Sequence, residues 1–131
     1  MIVVDASAIL ELLLRTEVGL RIEKGLLSPD ESLHAPHLLD VEVAQVVRRF
    51  AATNKMSPER GREALADLAD LPLTRYAHDV LLPRIWELRH NVTAYDAAYL
   101  ALAEVLSAPL VTCDARLRSA PGHSVDVRVY A

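Results

Sequence analysis

The chain has 131 residues, 52% of them hydrophobic, which excludes a disordered tail as its main content and suffices for one domain with its own core. Its formal net charge of −4 does not favour a nucleic-acid binder unless cations offset the carboxylates. The single cysteine, Cys113, excludes an intramolecular disulfide and a cysteine-based zinc site. Because we find no secretory leader and no membrane-length apolar run, we expect a cytoplasmic protein without membrane contact.

Apolar runs and helix signals alternate along the chain. In chain order, the predicted strands are residues 2–4, 33–35, 71–76, 108–112 and 125–130, the last as an edge strand. The predicted helices start near residue 7, capped by Ser7, and cover 17–27, 38–52, a segment from Ser57-Pro58 onward, 79–90 and 93–106. This alternation predicts an α/β fold with a mainly parallel sheet covered on both faces. Without repeats or linkers, residues 1–131 are predicted to form a single domain.

Four carboxylates stand out by their context. Asp5 and Asp114 each come just after a predicted strand, and Glu42 lies inside an otherwise apolar helix. Asp96 lies in the first turn of the helix that Thr93 begins. In parallel α/β folds the functional crevice lies beyond the carboxyl ends of the strands. The sequence therefore predicts that a crevice of this kind gathers several acids.

Each acid also has a purely structural interpretation. Asp5 could cap a helix, Asp114 could cap the short turn that follows it, and Asp96 fits a capping box with the residue three positions earlier. Glu42 is the hardest to explain structurally, because a glutamate on a mostly buried helix is costly unless a charge partner meets it. Asp40, two residues before it, points the other way on a helix and is expected to face solvent.

Together the acids indicate a cation-dependent chemistry. Carboxylates gathered in one crevice repel one another, which raises their pKa values, and divalent cations resolve that repulsion. Mg²⁺ and Mn²⁺ prefer hard oxygen ligands and keep waters, which suits phosphodiester hydrolysis. In that case the hydroxyls of Ser7 and Thr112 would orient carboxylates or water, and Arg116 could hold a phosphate or support a carboxylate.

Four segments, taken in order, resemble the successive motifs of PIN-domain proteins and most closely the VapC toxins of prokaryotic toxin–antitoxin pairs. They are residues 1–8 around Asp5, residues 36–48 around Glu42, TAYDAAYLALAE at 93–104 and LVTCDARL at 110–117. The resemblance covers nearly the whole chain, and the two later motifs are quite specific in order and spacing.

The resemblance implies a PIN-like three-layer α/β/α fold and an Mg²⁺- or Mn²⁺-dependent endoribonuclease. It also implies a homodimer whose crevice a VapB-type antitoxin covers. By position, the family's acidic quartet of catalytic metal ligands matches Asp5, Glu42, Asp96 and Asp114. Ser7 and Thr112 match the hydroxyls that support that quartet.

Other functions stay open from the residues alone. A non-catalytic PIN-like module that binds RNA or a partner protein is one alternative. An aspartyl-nucleophile phosphatase would want an acid where the chain has Ser7, and the paired acids and later lysine of a receiver domain are not visible. We assign no site role to the histidines, interpret Tyr99 as a core or dimer contact, and expect the apolar helices around 10–14 and 38–47 to contribute a partner surface.

Overall fold

A parallel sheet forms the centre of the structure, a computed structural model that describes residues 1–26 and 28–131. Its strands are β1 Ile2–Val4, β2 Leu33–Pro36, β3 Leu73–Tyr76, β4 Leu110–Thr112 and β5 Val127–Val129. They are ordered β3-β2-β1-β4-β5, and every neighbouring pair is parallel. The predicted α/β class and parallel sheet are confirmed, and the last strand does lie at an edge.

The strand order reverses at β1. The chain crosses from β1 to β2 and β3 in one direction and then returns to β4 on the other side of β1. Right-handed crossovers in opposite directions place helices on both faces of such a sheet. The carboxyl ends of β1 and β4, which pair in register from Val3 with Leu110, form the switch point where α/β folds build their sites.

Helices connect the strands as the sequence predicts, with shifted ends. They are α1 Ala6–Leu13, α2 Glu17–Leu26, α3 Leu38–Ala52, α4 Pro58–Asp70, α5 Leu82–Glu87, α6 Ala94–Leu106 and α7 Arg116–Ser119. The predicted helix over 79–90 is shorter, because a 3₁₀ turn at Asp79–Leu81 precedes α5, which has Pro83 in its first turn and ends at Glu87. The predicted last residue of the second helix, 27, lies outside the described residues.

The caps of these helices confirm most of the signals in the sequence. The hydroxyl of Ser57 accepts from the backbone N–H of Arg60 at the start of α4, and the Thr93 hydroxyl caps α6. The predicted Ser7 cap is wrong. Helix α1 begins one residue earlier, and the Asp5 carboxylate caps it instead. Ser7 lies inside the first turn, where its hydroxyl turns back toward Asp5.

The expectation that Asp40 faces solvent is met only in part. Its side chain is 40% exposed, but its Oδ2 also accepts a hydrogen bond from Nε of Arg75 on β3 at 2.7 Å. The Arg75 guanidinium also donates to the backbone oxygens of Leu68 and Leu73, which fixes it where Asp40 approaches. A pairing between residues 35 positions apart depends on strand order, which helical spacing alone cannot predict.

The core takes up most of the apolar helix surface. Leu13 of α1 is buried, as are Leu39 and Val43 of α3, whereas the other leucines of residues 10–14 are half-buried. Val41 is the exception on α3, since it is 72% exposed. The expected partner surface stays a prediction. In the described part of the chain, no helix is long and apolar enough to cross a membrane.

Candidate active site

Asp5 lies directly after β1, at the switch point of the sheet, and its side chain is 6% exposed. Its Oδ1 accepts hydrogen bonds from Ser7 Oγ at 2.6 Å and from the Ala8 N–H at 3.1 Å. Its Oδ2 accepts from Thr112 Oγ1 at the end of β4. Burial raises the pKa of Asp5, and these hydrogen bonds oppose the shift. The Asp5 carboxylate therefore caps α1 and also belongs to the candidate site.

Two hydroxyls connect Asp5 with the end of β4. Ser7 Oγ accepts the Cys113 N–H at 2.9 Å while it donates to Asp5. Thr112 Oγ1 likewise accepts the Asp114 N–H at 2.9 Å while it donates to Asp5. Each hydroxyl thus fixes Asp5 relative to the backbone that carries Asp114. This geometry agrees with the expectation that Ser7 and Thr112 orient a carboxylate.

Glu42 on α3 receives a hydrogen bond from the Tyr99 hydroxyl on α6, at 2.5 Å to its Oε1. Burial raises the pKa of Glu42, the Tyr99 bond lowers it, and repulsion from Asp5 and Asp96 raises it further. Tyr99 is 2% exposed, and its own pKa is raised strongly by burial and by Glu42. The hydroxyl therefore stays a donor at all ordinary pH values. The sequence led us to expect a charged partner for Glu42, and the structure shows a neutral phenol instead.

Tyr99 is the site residue that sequence reasoning missed. Its interpretation as a core residue is right, because the ring is buried, but its hydroxyl also holds a site carboxylate. It lies three residues after Asp96, a spacing that puts both side chains on one face of a helix. That spacing is the signal that could have found it.

Asp96 is half-buried in the first turn of α6, and its backbone N–H donates to Thr93 Oγ1 at 3.2 Å. Burial is the largest cause that raises its pKa, followed by repulsion from Asp114, while Arg116 and the Thr93 hydroxyl lower it. The predicted cap at Thr93 is therefore present. It does not account for the acid, however, because the carboxylate also repels Asp5 and Asp114 electrostatically.

Asp114 is held by Arg116 in a two-point ion pair, with Nε 3.0 Å from Oδ1 and Nη2 2.8 Å from Oδ2. The Arg116 backbone N–H also donates to Oδ1, so Asp114 caps the turn that leads into α7, as one interpretation predicted, while Ala115 is the N-cap residue of the helix itself. The hydrogen bond from Arg116 lowers the pKa of Asp114. Of the two roles expected for Arg116, the structure shows support of a carboxylate.

The four acids share one end of the sheet and influence one another. Asp96 raises the pKa values of Asp5 and Glu42, and Asp114 raises that of Asp96. They do not form a finished coordination sphere. Across residues 1–26 and 28–131, no three Asp, Glu, His or Cys side chains converge closely enough to hold a metal ion.

Comparison with known proteins decides the family. The PIN domain family model matches residues 2–122. The chain belongs to the PIN-domain family. It is 43% identical over 128 residues to Ribonuclease VapC1 of Mycobacterium tuberculosis, covering 97% of this chain and 96% of that protein. It is 47% identical over 117 residues to Ribonuclease VapC9 of the same species, covering 89% and 88%.

These relatives place the chain among the VapC members of the PIN-domain family. The solved structure of VapBC2 from Rickettsia felis, bound to a DNA fragment from its promoter, is similar in fold. Its TM-score is 0.70 at 13% sequence identity, and the match covers 100% of both chains. The PIN-like fold expected from the sequence is thus confirmed.

The donor set of this PIN domain fits a hard divalent cation. Asp5, Glu42, Asp96 and Asp114 offer carboxylate oxygens only, with no thiolate or imidazole among them. Burial is the largest cause that raises the pKa values of Asp5, Glu42 and Asp96, and each pKa is raised further by repulsion from a neighbouring acid. A bound cation would offset that repulsion.

Residues near the PIN-domain site that could suggest other chemistry have structural roles. Nδ1 of His123 accepts the Val125 N–H, and Nε2 bonds to the Leu117 backbone oxygen, so both ring nitrogens are used in the loop. Cys113 is half-buried, and burial raises the pKa of its thiol to about 11. A thiol with that pKa is protonated near neutral pH and is not a nucleophile.

Proposed function

We propose that this chain is an endoribonuclease toxin that hydrolyses RNA phosphodiester bonds with Mg²⁺ or Mn²⁺. The observation that carries the proposal is the connection of Asp5 to the strand end that bears Asp114, through the hydroxyls of Ser7 and Thr112, at the switch point of a PIN fold. Its VapC relatives are named ribonucleases, which supports RNA as the substrate. We also propose that residues 1–131 act as one domain, in the cytoplasm.

In this proposal Asp5, Glu42, Asp96 and Asp114 hold the cations and are the catalytic residues. When bound, divalent cations supply an acidified water and offset charge on the leaving oxygen. The protein's own contribution is positioning. Asp5 is restrained at both oxygens by hydroxyls and a backbone N–H, so it presents its remaining lone pairs in a fixed plane.

Glu42 and Asp114 are positioned differently from Asp5. The Tyr99 hydroxyl holds one oxygen of Glu42, which leaves the other free to face the crevice. Arg116 holds both oxygens of Asp114 from the solvent side, and its side chain is 88% exposed. A phosphate that enters the crevice can share this guanidinium, because Arg116 has five N–H donors. Arg116 thus serves either role that the sequence allowed.

We further propose a VapB-type antitoxin as the partner that blocks the crevice, and a homodimer as the oligomeric state. Support for the antitoxin comes from membership of the VapC group and from the similar fold of the VapBC2 structure. The homodimer rests on the family resemblance. Light scattering at high micromolar concentration tests it, and a strict monomer would contradict it.

The test is cleavage of total cellular RNA with cut sites mapped. The wild-type chain is compared with Asp96→Asn, in Mg²⁺, in Mn²⁺ and in EDTA. Asp126→Asn is the matched control, because Asp126 is an exposed acid next to β5 whose partner is Arg128. We expect cleavage by wild type and Asp126→Asn with cation only, and none by Asp96→Asn. RNA binding without cleavage in both cations would favour the non-catalytic module instead.

A further inference from the structure

An open cavity of about 530 Å³ lies beside the proposed catalytic acids. Residues 89–93, between α5 and α6, line one side of it, and residues of α7 and the turn after it line the other. Asp96 and Arg116 lie in its wall, so the cavity is continuous with the site described above. Neither the mechanism nor the family match assigns a role to Arg89, His90 or Asn91.

The lining of this cavity contains one positive charge that no carboxylate of the described residues pairs with. It includes two arginines, Arg89 and Arg116, and the carboxylate of Asp96, and Arg116 is already paired with Asp114. The whole chain carries a net charge of −4. The wall also includes Thr93, the N-cap of α6, where the positive end of a 13-residue helix dipole lies. An anion that approaches the acidic site from this side therefore meets the Arg89 guanidinium and the positive end of α6.

Arg89 is held in place without being neutralised. Its guanidinium carbon lies 4.4 Å from the centre of the Trp86 ring, and Nη1 donates to the Trp86 backbone oxygen at 2.9 Å. None of the ion pairs among the described residues includes Arg89. Nearby Arg84, by contrast, pairs with Glu87 and Glu104. A restrained guanidinium that lacks a carboxylate partner is suited to bind a phosphate.

We propose that this cavity binds the RNA backbone on one side of the cleaved bond, with Arg89 as the residue that binds an adjacent phosphate. The inference rests on the proposed ribonuclease function and extends it to the substrate's neighbouring nucleotides. RNA fits better than a peptide, because the cavity is continuous with the proposed cleavage site and Arg89 offers a restrained guanidinium to a phosphate.

The experiment compares Arg89→Gln with Arg118→Gln. Arg118 is an exposed arginine of α7 that does not line the cavity, so its removal controls for the loss of one charge. The substrate is a single-stranded RNA that contains one mapped cut site. We expect Arg89→Gln to raise KM about tenfold with little change in kcat, since a charged hydrogen bond to a non-reacting phosphate is lost. Arg118→Gln should match wild type.

Two further readouts separate a phosphate contact from a general effect on folding. RNA affinity is measured by anisotropy in EDTA over a range of salt, and the logarithmic salt slope of Arg89→Gln should be smaller by about 0.7 than that of wild type. Arg89→Lys, which keeps the charge, should recover part of the affinity. RNAs shortened on one side of the cut should lose the effect of Arg89→Gln, and RNAs shortened on the other side should keep it.

The possible failures are distinguishable. If wild type cuts no RNA with either cation, the proposed function itself is wrong. If wild type cuts RNA but Arg89→Gln and Arg118→Gln bind and cut it alike, the ribonuclease stands and this inference is overturned. A cavity that serves a peptide would give that second result. An Arg89 effect that persists with RNAs shortened on both sides also overturns it, because the contact would not be with a neighbouring phosphate.

Discussion

Thr112 on β4 donates a hydrogen bond to Asp5, which follows β1 and lies 107 residues earlier in the chain. The same hydroxyl oxygen accepts the backbone N–H of Asp114 at 2.9 Å. One small side chain therefore determines where two acids of the crevice stand relative to each other. This relationship exists because β1 and β4 are hydrogen-bonded neighbours in the sheet, which brings their carboxyl ends together.

Thr112→Val should damage both stability and cleavage. It removes a donor from a buried carboxylate and an acceptor from a backbone N–H, which we expect to cost about 1–3 kcal/mol of unfolding free energy. Loss of such a supporting group should lower RNA cleavage roughly 10–100-fold. Denaturant unfolding and a cleavage assay measure the two effects. Thr74→Val, at an exposed position on β3, is the control and should change neither. Normal cleavage by Thr112→Val would contradict the assigned role.

Tyr99→Phe should keep the fold and reduce cleavage about tenfold or more, because Glu42 loses the hydroxyl that holds it. The Tyr99 bond lowers the pKa of Glu42, so its removal should raise that pKa. Cleavage requires the carboxylate form, and the acidic limb of the kcat/KM profile should therefore move to higher pH.

Tyr76→Phe is the matched control for this prediction. The Tyr76 hydroxyl bonds to Nδ1 of His34 at 2.7 Å, away from the acids, so its removal tests the loss of a tyrosine hydrogen bond alone. We expect Tyr76→Phe to lose stability while its pH profile stays at the wild-type position. An unshifted acidic limb in Tyr99→Phe would show that Glu42 does not titrate in the rate-determining state.

The sequence predicts which acids lie at the end of the sheet better than it predicts which side chains bond to the acids on the helices. Asp5 and Asp114 are recognisable because each follows an apolar strand, and parallel strands bring such ends together. The partners of Glu42 and Asp40 are not, because each lies on another element. Tyr99 and Arg75 meet them only once the strand order and the helix packing are fixed.

Helix ends show the same limit on a smaller scale. The Ser7 cap predicted for α1 is wrong because the Asp5 carboxylate, one position before the helix, reaches the Ala8 N–H first. Local capping rules allow both residues. In the structure Thr112 also donates to the second oxygen of Asp5, a contact from the other end of the chain that supports the carboxylate in its capping position and that local rules do not include.

Asp96→Asn should stabilise the protein in EDTA at pH 7.5, although we expect it to abolish cleavage. Burial and Asp114 raise the pKa of Asp96, so its charged form is disfavoured in the folded state. The amide removes that charge and should raise Tm. Saturating Mn²⁺ should stabilise wild type more than the variant, because ligand binding favours the folded state. Asp126→Asn is again the control. A lower Tm for Asp96→Asn in EDTA would contradict the proposed repulsion.

The pH dependence of that difference has a definite sign. Asp5, Glu42 and Asp96 have folded-state pKa values above their ordinary ones, so the folded state binds protons more readily than the unfolded state. Their contribution to stability is fully present below the unfolded pKa and is lost as pH rises through the folded pKa. The Tm advantage of Asp96→Asn in EDTA should therefore shrink as pH falls from 7.5 toward 4. Thermal melts across that range measure it.

Arg116→Gln should strengthen Mn²⁺ binding while it weakens RNA cleavage. Arg116 occupies both oxygens of Asp114 and adds a positive charge beside the proposed cation position. Because the pair is exposed to solvent, the gain in affinity should be small, about two- to fivefold by calorimetry. Cleavage should fall nevertheless, since Arg116 also lines the cavity where the substrate phosphates are proposed to lie.

Arg118→Gln separates this effect from a general loss of positive charge, because Arg118 lies two residues further along α7 and pairs with none of the acids in the described ion pairs. It should leave Mn²⁺ affinity unchanged. If Arg116→Gln instead binds Mn²⁺ more weakly, the guanidinium is needed to hold Asp114 in its ligating position rather than competing with the cation. Opposite movements of cation affinity and cleavage are the signature of an arginine that blocks Asp114 in the free protein and turns to phosphate when RNA binds.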